Sequence, residues 1–440
     1  MRYQTVHAVL ADSALIISRN RKVETVSYHQ TPIMTYADMF TLAIEHDITH
    51  VWIMPGVQYM VTDTNEQWDV FSSNAGYARI QRKLPDGKMS RQVKIGDPER
   101  GRWLWQIDSP MDILAAVYYL EQVLDVPCEW SPGHMATDVV RQLNHSARRA
   151  SWVKEATANL FELPFNDAAQ DIIWKSALLE SDLGLYLHQF DKRSSYLSAC
   201  GDLYVGEGDP VHLTPGSNVP PIDTSLPGIY RVFVDGNRGV FDNAALPAIA
   251  TTGWITADLL AFAKRQGYTV NVSEAWQWTE KHKTLATYAD TIWNGRKAFK
   301  DEKRFPHTTG RENAEATMKE VALIGTGKFA SEKSGAFRQP YWWAAVVSKA
   351  RIIMLANMHK AYAAGHTPVL AYSDSVYYLS TDPNPESAVP EIYTCGSAKT
   401  GLGQFRCEGT WEVDQALVDV FKKNESAIVG YLNRREVYHG

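Results

Sequence analysis

Cysteine is scarce. The 440 residues hold four, Cys128, Cys200, Cys395 and Cys407, far apart and without a Cys-x-x-Cys pair. That spacing argues against a zinc ribbon or a disulfide framework and fits a reducing compartment. No apolar run approaches roughly 18 residues, so no membrane span is expected. The N-terminus lacks both the basic segment and the long apolar core of a secretory signal, and a cytoplasmic protein is expected. An excess of positive charge is missing too. The net charge of −6 argues against a chain coated in basic residues but is compatible with a local basic channel. Internal repeats and low-complexity tracts are absent.

What remains is an ordinary folding composition, 45% hydrophobic and 21% charged, long enough for about two or three domains. The 14 tryptophans read mostly as core, with a minority available to stack on bases. Residues 3–17 alternate as a strand does, and Val23–Tyr28 reads as another. Thr35 caps a helix running to Glu45, in which Met39, Leu42 and Ala43 share one face. A buried strand over Ile48–Met54 stops at Pro55-Gly56, Pro85-Asp86-Gly87 marks a turn, and a helix spans Asp112–Leu124. Strands, a helix, a strand and a helix in that order suggest a ribonuclease-H-like α/β layer.

Further along, 183–190 reads as a strand leading to Asp191, and Ser194–Cys200 as a short helix. Residues 202–226 read as loop, Gly228–Val234 as a strand and Tyr268–Val272 as another. Thr256 caps a helix through Arg265 that stops at Gly267. Leu285, Tyr288, Ile292 and Phe299 share one helical face. Two more helices cover Arg311–Leu323 and 341–364.

The most informative feature is Asp374, in Ala371-Tyr372-Ser373-Asp374-Ser375-Val376. Apolar, aromatic and β-branched residues flank this polar knot, which places the carboxylate at the tip of a hairpin. Asp191 ends the earlier strand Leu185–Phe190. A lone Asp in a turn is usually a turn residue. A pair at strand ends suits a divalent ion, because Mg²⁺ takes one or two carboxylates plus substrate phosphates. Mn²⁺ would substitute for it.

Short motifs connect the two. Asp191-Lys-Arg-Ser-Ser-Tyr-Leu-Ser198 resembles Asp-x-x-Ser-Leu-Tyr-Pro-Ser, the first polymerase motif of family B DNA polymerases, through Asp191, Ser194, Tyr196 and Ser198. Asp374 and Ser375 match the end of the third motif, Tyr-x-Asp-Thr-Asp-Ser. Between them, Lys319 and Gly327-Lys328-Phe329-Ala330-Ser331 resemble the second motif in the form that protein-primed phage enzymes use. Leu402–Glu408 looks like a degenerate form of the stretch after the third motif. Three motifs in order are more specific than one, and the resemblance covers roughly residues 181–412.

The resemblance implies a compact, divergent family B DNA polymerase. Its fold would be α/β (α+β), a palm with an antiparallel sheet plus helical fingers, with a reduced or absent thumb. A ribonuclease-H-like domain resembling a degenerate 3′–5′ exonuclease domain would come first. The implied segments are 1–180 for that domain, 181–280 and 346–440 for the palm with a thumb remnant, and 281–345 for the fingers. The implied reaction joins deoxynucleoside triphosphates to a primer on a DNA template, with two Mg²⁺ ions held by Asp191, Asp374 and the Lys192 carbonyl. Lys319 would hold the triphosphate. Arg311, about two helical turns away, faces the same charge, against an even alternative as a solvated basic face. Tyr196 would pack under the deoxyribose and exclude a 2′-hydroxyl, with Lys192 and Ser194 also in the nucleotide site. A protein primer or clamp partner and a phage, plasmid or bacterial setting follow by analogy alone.

The departures also carry meaning. Tyr372 stands where the third motif has its first Asp, and Leu323, Ile324 and Thr326 replace Asn, Ser and Tyr of the second. The first strand offers only Asp12, with Ala14 where an exonuclease Glu would be, so proofreading is not expected. Arg141, Arg148, Arg149 and Lys154 form a basic segment that suits a nucleic-acid backbone or a solvated helix face. About thirty residues follow Glu408, too few for a full thumb, and low processivity is expected. The alternative reading is a catalytically silent relative that binds DNA or initiates replication. An unrelated phosphoesterase would explain the paired carboxylates but not Lys319 or Tyr196.

Overall fold

The alternation near the N-terminus resolves into paired strands rather than one long strand. In the computed structural model, β1 (His7–Leu10) pairs antiparallel with β2 (Ala14–Arg19), which pairs antiparallel with β3 (Lys22–Ser27). The structure describes residues 5–11, 14–19, 22–27, 34–60, 68–73, 77–100, 103, 105–128, 131–145, 157, 159–214, 222–234, 246–331, 339–389, 393 and 401–435. Asp12, Arg148, Arg149 and Lys154 lie outside them, as does the side chain of Arg141. The fold is mixed α/β with several sheets, in two compact units: Met1–Ala150 with Thr291–Gly325, and Ser151–Asp290 with Thr326–Gly440.

In the first unit, β4 (Met34–Thr35) leads into α1 (Tyr36–Glu45). Thr35 caps this helix as its sequence predicts. Its Oγ1 accepts from the Asp38 amide at 3.2 Å, and Asp38 accepts from the Thr35 amide at 2.9 Å. Next come β5 (His50–Ile53), β6 (Tyr59–Met60), β7 (Trp68–Ser73), β8 (Tyr77–Arg82), β9 (Val93–Gly96), α2 (Pro110–Leu124) and α3 (Pro132–His145). The seven-stranded sheet runs β3-β2-β1-β5-β9-β8-β7, with β1, β5 and β9 mutually parallel. Buried Met39, Phe40 and Ala43 of α1 join Ala8, Leu10, Val51, Ile53, Ile80 and Ile95 in one core. Leu42, expected on the same face, is only partly buried against it. The Pro85-Asp86-Gly87 turn forms, with Gly87 at φ +79° and the Leu84 amide donating to the Lys88 carbonyl at 2.7 Å.

The second unit introduces α4 (Phe165–Ala168), β10 (Ile173–Lys175), β11 (Tyr186–Lys192), α5 (Ser195–Ala199), β12 (Val211–Leu213), β13 (Gly228–Val234), β14 (Gly253–Thr256), α6 (Ala257–Arg265) and β15 (Val270–Gln277). Thr256 caps α6 by accepting from the Leu259 amide at 3.4 Å, and Gly267 at φ +84° ends it. The stretch read as loop over 202–226 contains β12. Alternation is too short there to register, and the strand is specified by its partner, β15. The strand read as Tyr268–Val272 begins later and runs to Gln277, because β13 pairs along that whole length.

Two long helices follow, α7 (Thr284–Ala298) and α8 (Thr308–Lys328). The apolar face read for α7 is buried, with Leu285, Tyr288, Ile292 and Phe299 each at most 1% exposed. Residues 291–325 belong to the first unit. There Asn313 exchanges hydrogen bonds with the Gln106 backbone at 2.9 and 2.8 Å, and Trp105 donates to Thr317 at 2.7 Å. The chain ends with α9 (Pro340–Ala363), β16 (Pro368–Tyr372), β17 (Ser375–Ser380), α10 (Pro385–Ala388), β18 (Phe405–Glu412), α11 (Gln415–Phe421) and α12 (Glu425–Leu432). The second unit holds two antiparallel sheets, β10-β16-β17-β11-β18 and β12-β15-β13-β14. Buried side chains of α6 and α9 share one core with both sheets, including Phe190, Tyr230, Leu355 and Tyr378. Among the described residues no helix is long and apolar enough to cross a membrane.

Candidate active site

The five-stranded sheet brings the two predicted carboxylates to the same end of its interior strands. β16 and β17 form the predicted hairpin. Tyr372 pairs with Ser375, which leaves Ser373 and Asp374 as a two-residue loop. Ser373 takes the left-handed conformation, φ 55°, that such tight hairpin loops demand of a central residue. In a non-glycine residue that conformation costs roughly 1–2 kcal/mol. β11 lies next to β17 in the sheet, with Asp191 opposite Ser375 on one side and Arg406 of β18 on the other.

Local bonds hold this end of the sheet. Ser375 Oγ donates to Asp191 Oδ1 at 3.0 Å, and Gln189 Nε2 donates to Ser375 Oγ at 3.1 Å. The Lys192 amide donates to the Asp374 carbonyl at 2.9 Å. Ser194, also left-handed at φ 49°, turns the chain from β11 into α5 and so places Tyr196 beside the hairpin loop. The Tyr196 hydroxyl reaches Asp171 Oδ2 and Ser373 Oγ, each at 3.0 Å. The side chain of Lys192 turns inward, 3% exposed, and donates to Ser198 Oγ at 2.7 Å. Gly403, from the stretch read as a degenerate motif, has φ +73°. A Cβ there would meet Ser198 Cβ at 2.8 Å, so only glycine passes this close.

Burial and like charge set the electrostatics. Asp374 is pushed up to about 6, first by burial, then by the Asp191 charge, with Asp171 and Glu408 adding to it. Asp191 is raised by burial and by Glu408, against the Ser375 hydrogen bond and Arg406. Arg406 itself pairs with Glu408. Burial lowers Lys192 to about 8, against the pull of Asp374. Burial also raises the Tyr196 phenol, with the Asp171 charge in the same direction.

Asp191, Lys192, Ser194, Tyr196 and Asp374 thus gather in the second unit. Arg311 and Lys319 lie on α8 in the first. Lys319 is exposed. Arg311 is mostly buried, pairs with Glu302 at 3.1 Å and donates to the Phe305 carbonyl at 3.4 Å. Two neighbours escaped the sequence reading. Asp171 immediately precedes the Ile172-Ile173-Trp174 run that leads into β10. Ser373 reads from the sequence only as part of the turn. An acidic residue at the mouth of an apolar run was the available signal for Asp171.

Among the described residues no group of three or more His, Cys, Asp or Glu side chains is placed to hold a metal ion. Two carboxylates suffice for Mg²⁺, which keeps waters and substrate oxygens as its other ligands. Burial raises Asp374 first and the Asp191 charge adds to it, and a bound cation would relieve that repulsion, so the donor set fits a divalent ion.

The fold is similar to that of phi29 DNA polymerase. An orthorhombic crystal form matches with TM-score 0.51 at 10% identity over 93% of this chain and 85% of that one. Its complex with primer-template DNA matches with TM-score 0.50 at 10% identity and the same coverage. Its ternary complex with primer-template DNA and incoming nucleotide substrates matches with TM-score 0.51 at 9% identity over 91% and 82%. No family model matches the chain, and no curated protein is similar to it in sequence. The two proteins share a fold at a sequence identity near one residue in ten.

Proposed function

We propose that the chain is a DNA-directed DNA polymerase, a nucleotidyltransferase that extends a primer with deoxynucleoside triphosphates. One observation carries the reading. Two acidic residues from distant segments, Asp191 and Asp374, lie at the same end of two neighbouring strands of an antiparallel sheet, in a fold similar to a polymerase whose complexes hold primer-template DNA and nucleotides. DNA template, primer and nucleotide come to this chain through that likeness.

In this reading Asp191, Asp374 and the Lys192 carbonyl hold Mg²⁺, or Mn²⁺ in its place. When bound, the metal would make the primer 3′-hydroxyl more acidic and offset charge on the departing pyrophosphate. Tyr196 sits under the sugar of the incoming nucleotide. The motif resemblance alone assigns Lys319 and Arg311 to the triphosphate; on α8 Lys319 is exposed and Arg311 pairs with Glu302. The order β3-β2-β1-β5-β9, with β2 antiparallel and the last two strands parallel to β1, supports a ribonuclease-H-like first domain. Its first strand, β1, reads His7-Ala8-Val9-Leu10 and carries no acid, and Ala14 lies on β2, so we read no exonuclease pair on that strand.

Tyr372, in place of the first acid of the third motif, favours a second reading, a silent DNA-binding relative. Primer extension with Mg²⁺ or Mn²⁺ separates the two. Incorporation by the wild type, abolished by Asp191→Asn and by Asp374→Asn, supports the enzyme. DNA binding without incorporation supports the silent relative.

A further inference from the structure

Tyr196 is held at its outer end from two sides. A phenol carries one proton and a carboxylate only accepts, so Tyr196 donates to Asp171 at 3.0 Å while Ser373 donates to Tyr196 at 3.0 Å. Asp171 is itself fixed. Its Oδ1 accepts from the Ile172 amide at 2.8 Å, and the Ile172 carbonyl accepts from the Ser373 amide at 2.8 Å. Ile173 then pairs with Tyr372 where β10 joins β16. Asp171 and Ser373 therefore belong to one braced piece of sheet, the same piece that carries Asp374. From α9, the buried Arg351 guanidinium lies close enough for Asp171 to act on its charge. It is anchored by Gln170 at 3.3 Å and the Ala248 carbonyl at 3.0 Å.

Tyr196 itself stands on α5, a helix of five residues. Ser195, Leu197 and Ala199 fix α5 by burial while Tyr196 is only partly buried, so the hydroxyl anchor decides whether the ring can retreat. We propose that Asp171 is the positioning residue for Tyr196 and that discrimination between deoxyribo- and ribonucleoside triphosphates depends on this hydrogen bond. The inference rests on the polymerase reading. It assigns Asp171 to the tyrosine and not to the metal. A ring pinned at its hydroxyl refuses a 2′-hydroxyl above it, whereas a ring free to swing accepts one.

The test is single-nucleotide incorporation by the full chain with Mg²⁺ on a primed DNA template, comparing kcat/KM for a deoxynucleotide and its ribonucleotide. Asp171→Ala should lower the preference for the deoxynucleotide about tenfold, the worth of roughly one hydrogen bond, and Tyr196→Phe, which gives up the Ser373 bond as well, at least as much. The double variant should lose no more than Tyr196→Phe alone. Asp171→Asn keeps an acceptor oxygen and should retain most of the preference, a rescue that a merely structural role would not produce. If Asp171→Ala keeps the wild-type preference while Tyr196→Ala loses it, the inference is overturned and the polymerase reading stands. Additive losses in the double variant overturn it equally. A wild type that incorporates neither nucleotide overturns both.

Discussion

Replacing Asp374 by Asn should make the protein more stable at neutral pH while removing its activity. The carboxylate titrates near 6, against an ordinary 3.8, because it is buried beside Asp191. A shift of two units corresponds to about 3 kcal/mol at 1.36 kcal/mol per unit. The sign follows from proton counting. Between about 4 and 6 the folded state holds a proton that the unfolded state has released, so stability falls as pH rises through this window. Below it both states are protonated, and above it neither is. Asparagine mimics the protonated acid in shape. The variant should therefore match the wild type near pH 3.5 and exceed it by up to about 3 kcal/mol at pH 7. Urea unfolding of both proteins across this range measures the gap. Saturating Mg²⁺ should narrow it, since a cation that binds only the folded wild type adds RT ln(1 + [L]/Kd). A variant no more stable than the wild type at pH 7, or a gap that widens toward acid, would refute the reasoning.

Lys192→Met should stabilise the protein by up to about 3 kcal/mol at pH 7, less the lost Ser198 bond, because burial lowers the ammonium to about 8. The unfolded chain holds more protons between 8 and 10.5, so wild-type stability rises across that window and the gain should vanish above it. Gly206→Ala should destabilise by about 1–3 kcal/mol or more in urea unfolding. Its Cβ would fall 2.1 Å from Trp278 Cγ, next to a carbonyl that accepts from Trp342. Thr35→Ala should cost about 1 kcal/mol through the lost cap on α1, and no measurable change would show that the cap is idle. Lys319→Ala should raise KM for the deoxynucleotide roughly tenfold, the scale of one charged hydrogen bond. An unchanged KM would remove Lys319 from the nucleotide site.

Local chemistry was legible where one residue decides the outcome. Thr35 and Thr256 cap helices because their hydroxyls meet an otherwise unpaired amide three residues on. The Asp374 hairpin was readable because a short polar break between β-branched and aromatic runs admits little else. The partnership of Asp191 with Asp374 was legible only through motif order, since no local pattern says which strands pair. Long-range pairing hid the rest. β12 is three residues long and exists through β15. Residues 291–325 join the first unit through Asn313, Thr317 and the backbone of residue 106, contacts about two hundred positions apart in sequence. Asp171 was invisible for the same reason: its partner, Tyr196, is reached only once β10 is laid beside β16.

The central claim is that Asp191 and Asp374 form one metal-dependent catalytic pair. The most direct test is extension of a labelled primer on a DNA template, with Mg²⁺ present or chelated, by the wild type and by Asp191→Asn and Asp374→Asn. Metal-dependent incorporation by the wild type, lost in both variants while each remains folded, is the predicted result. Incorporation at the wild-type rate by either variant would contradict it.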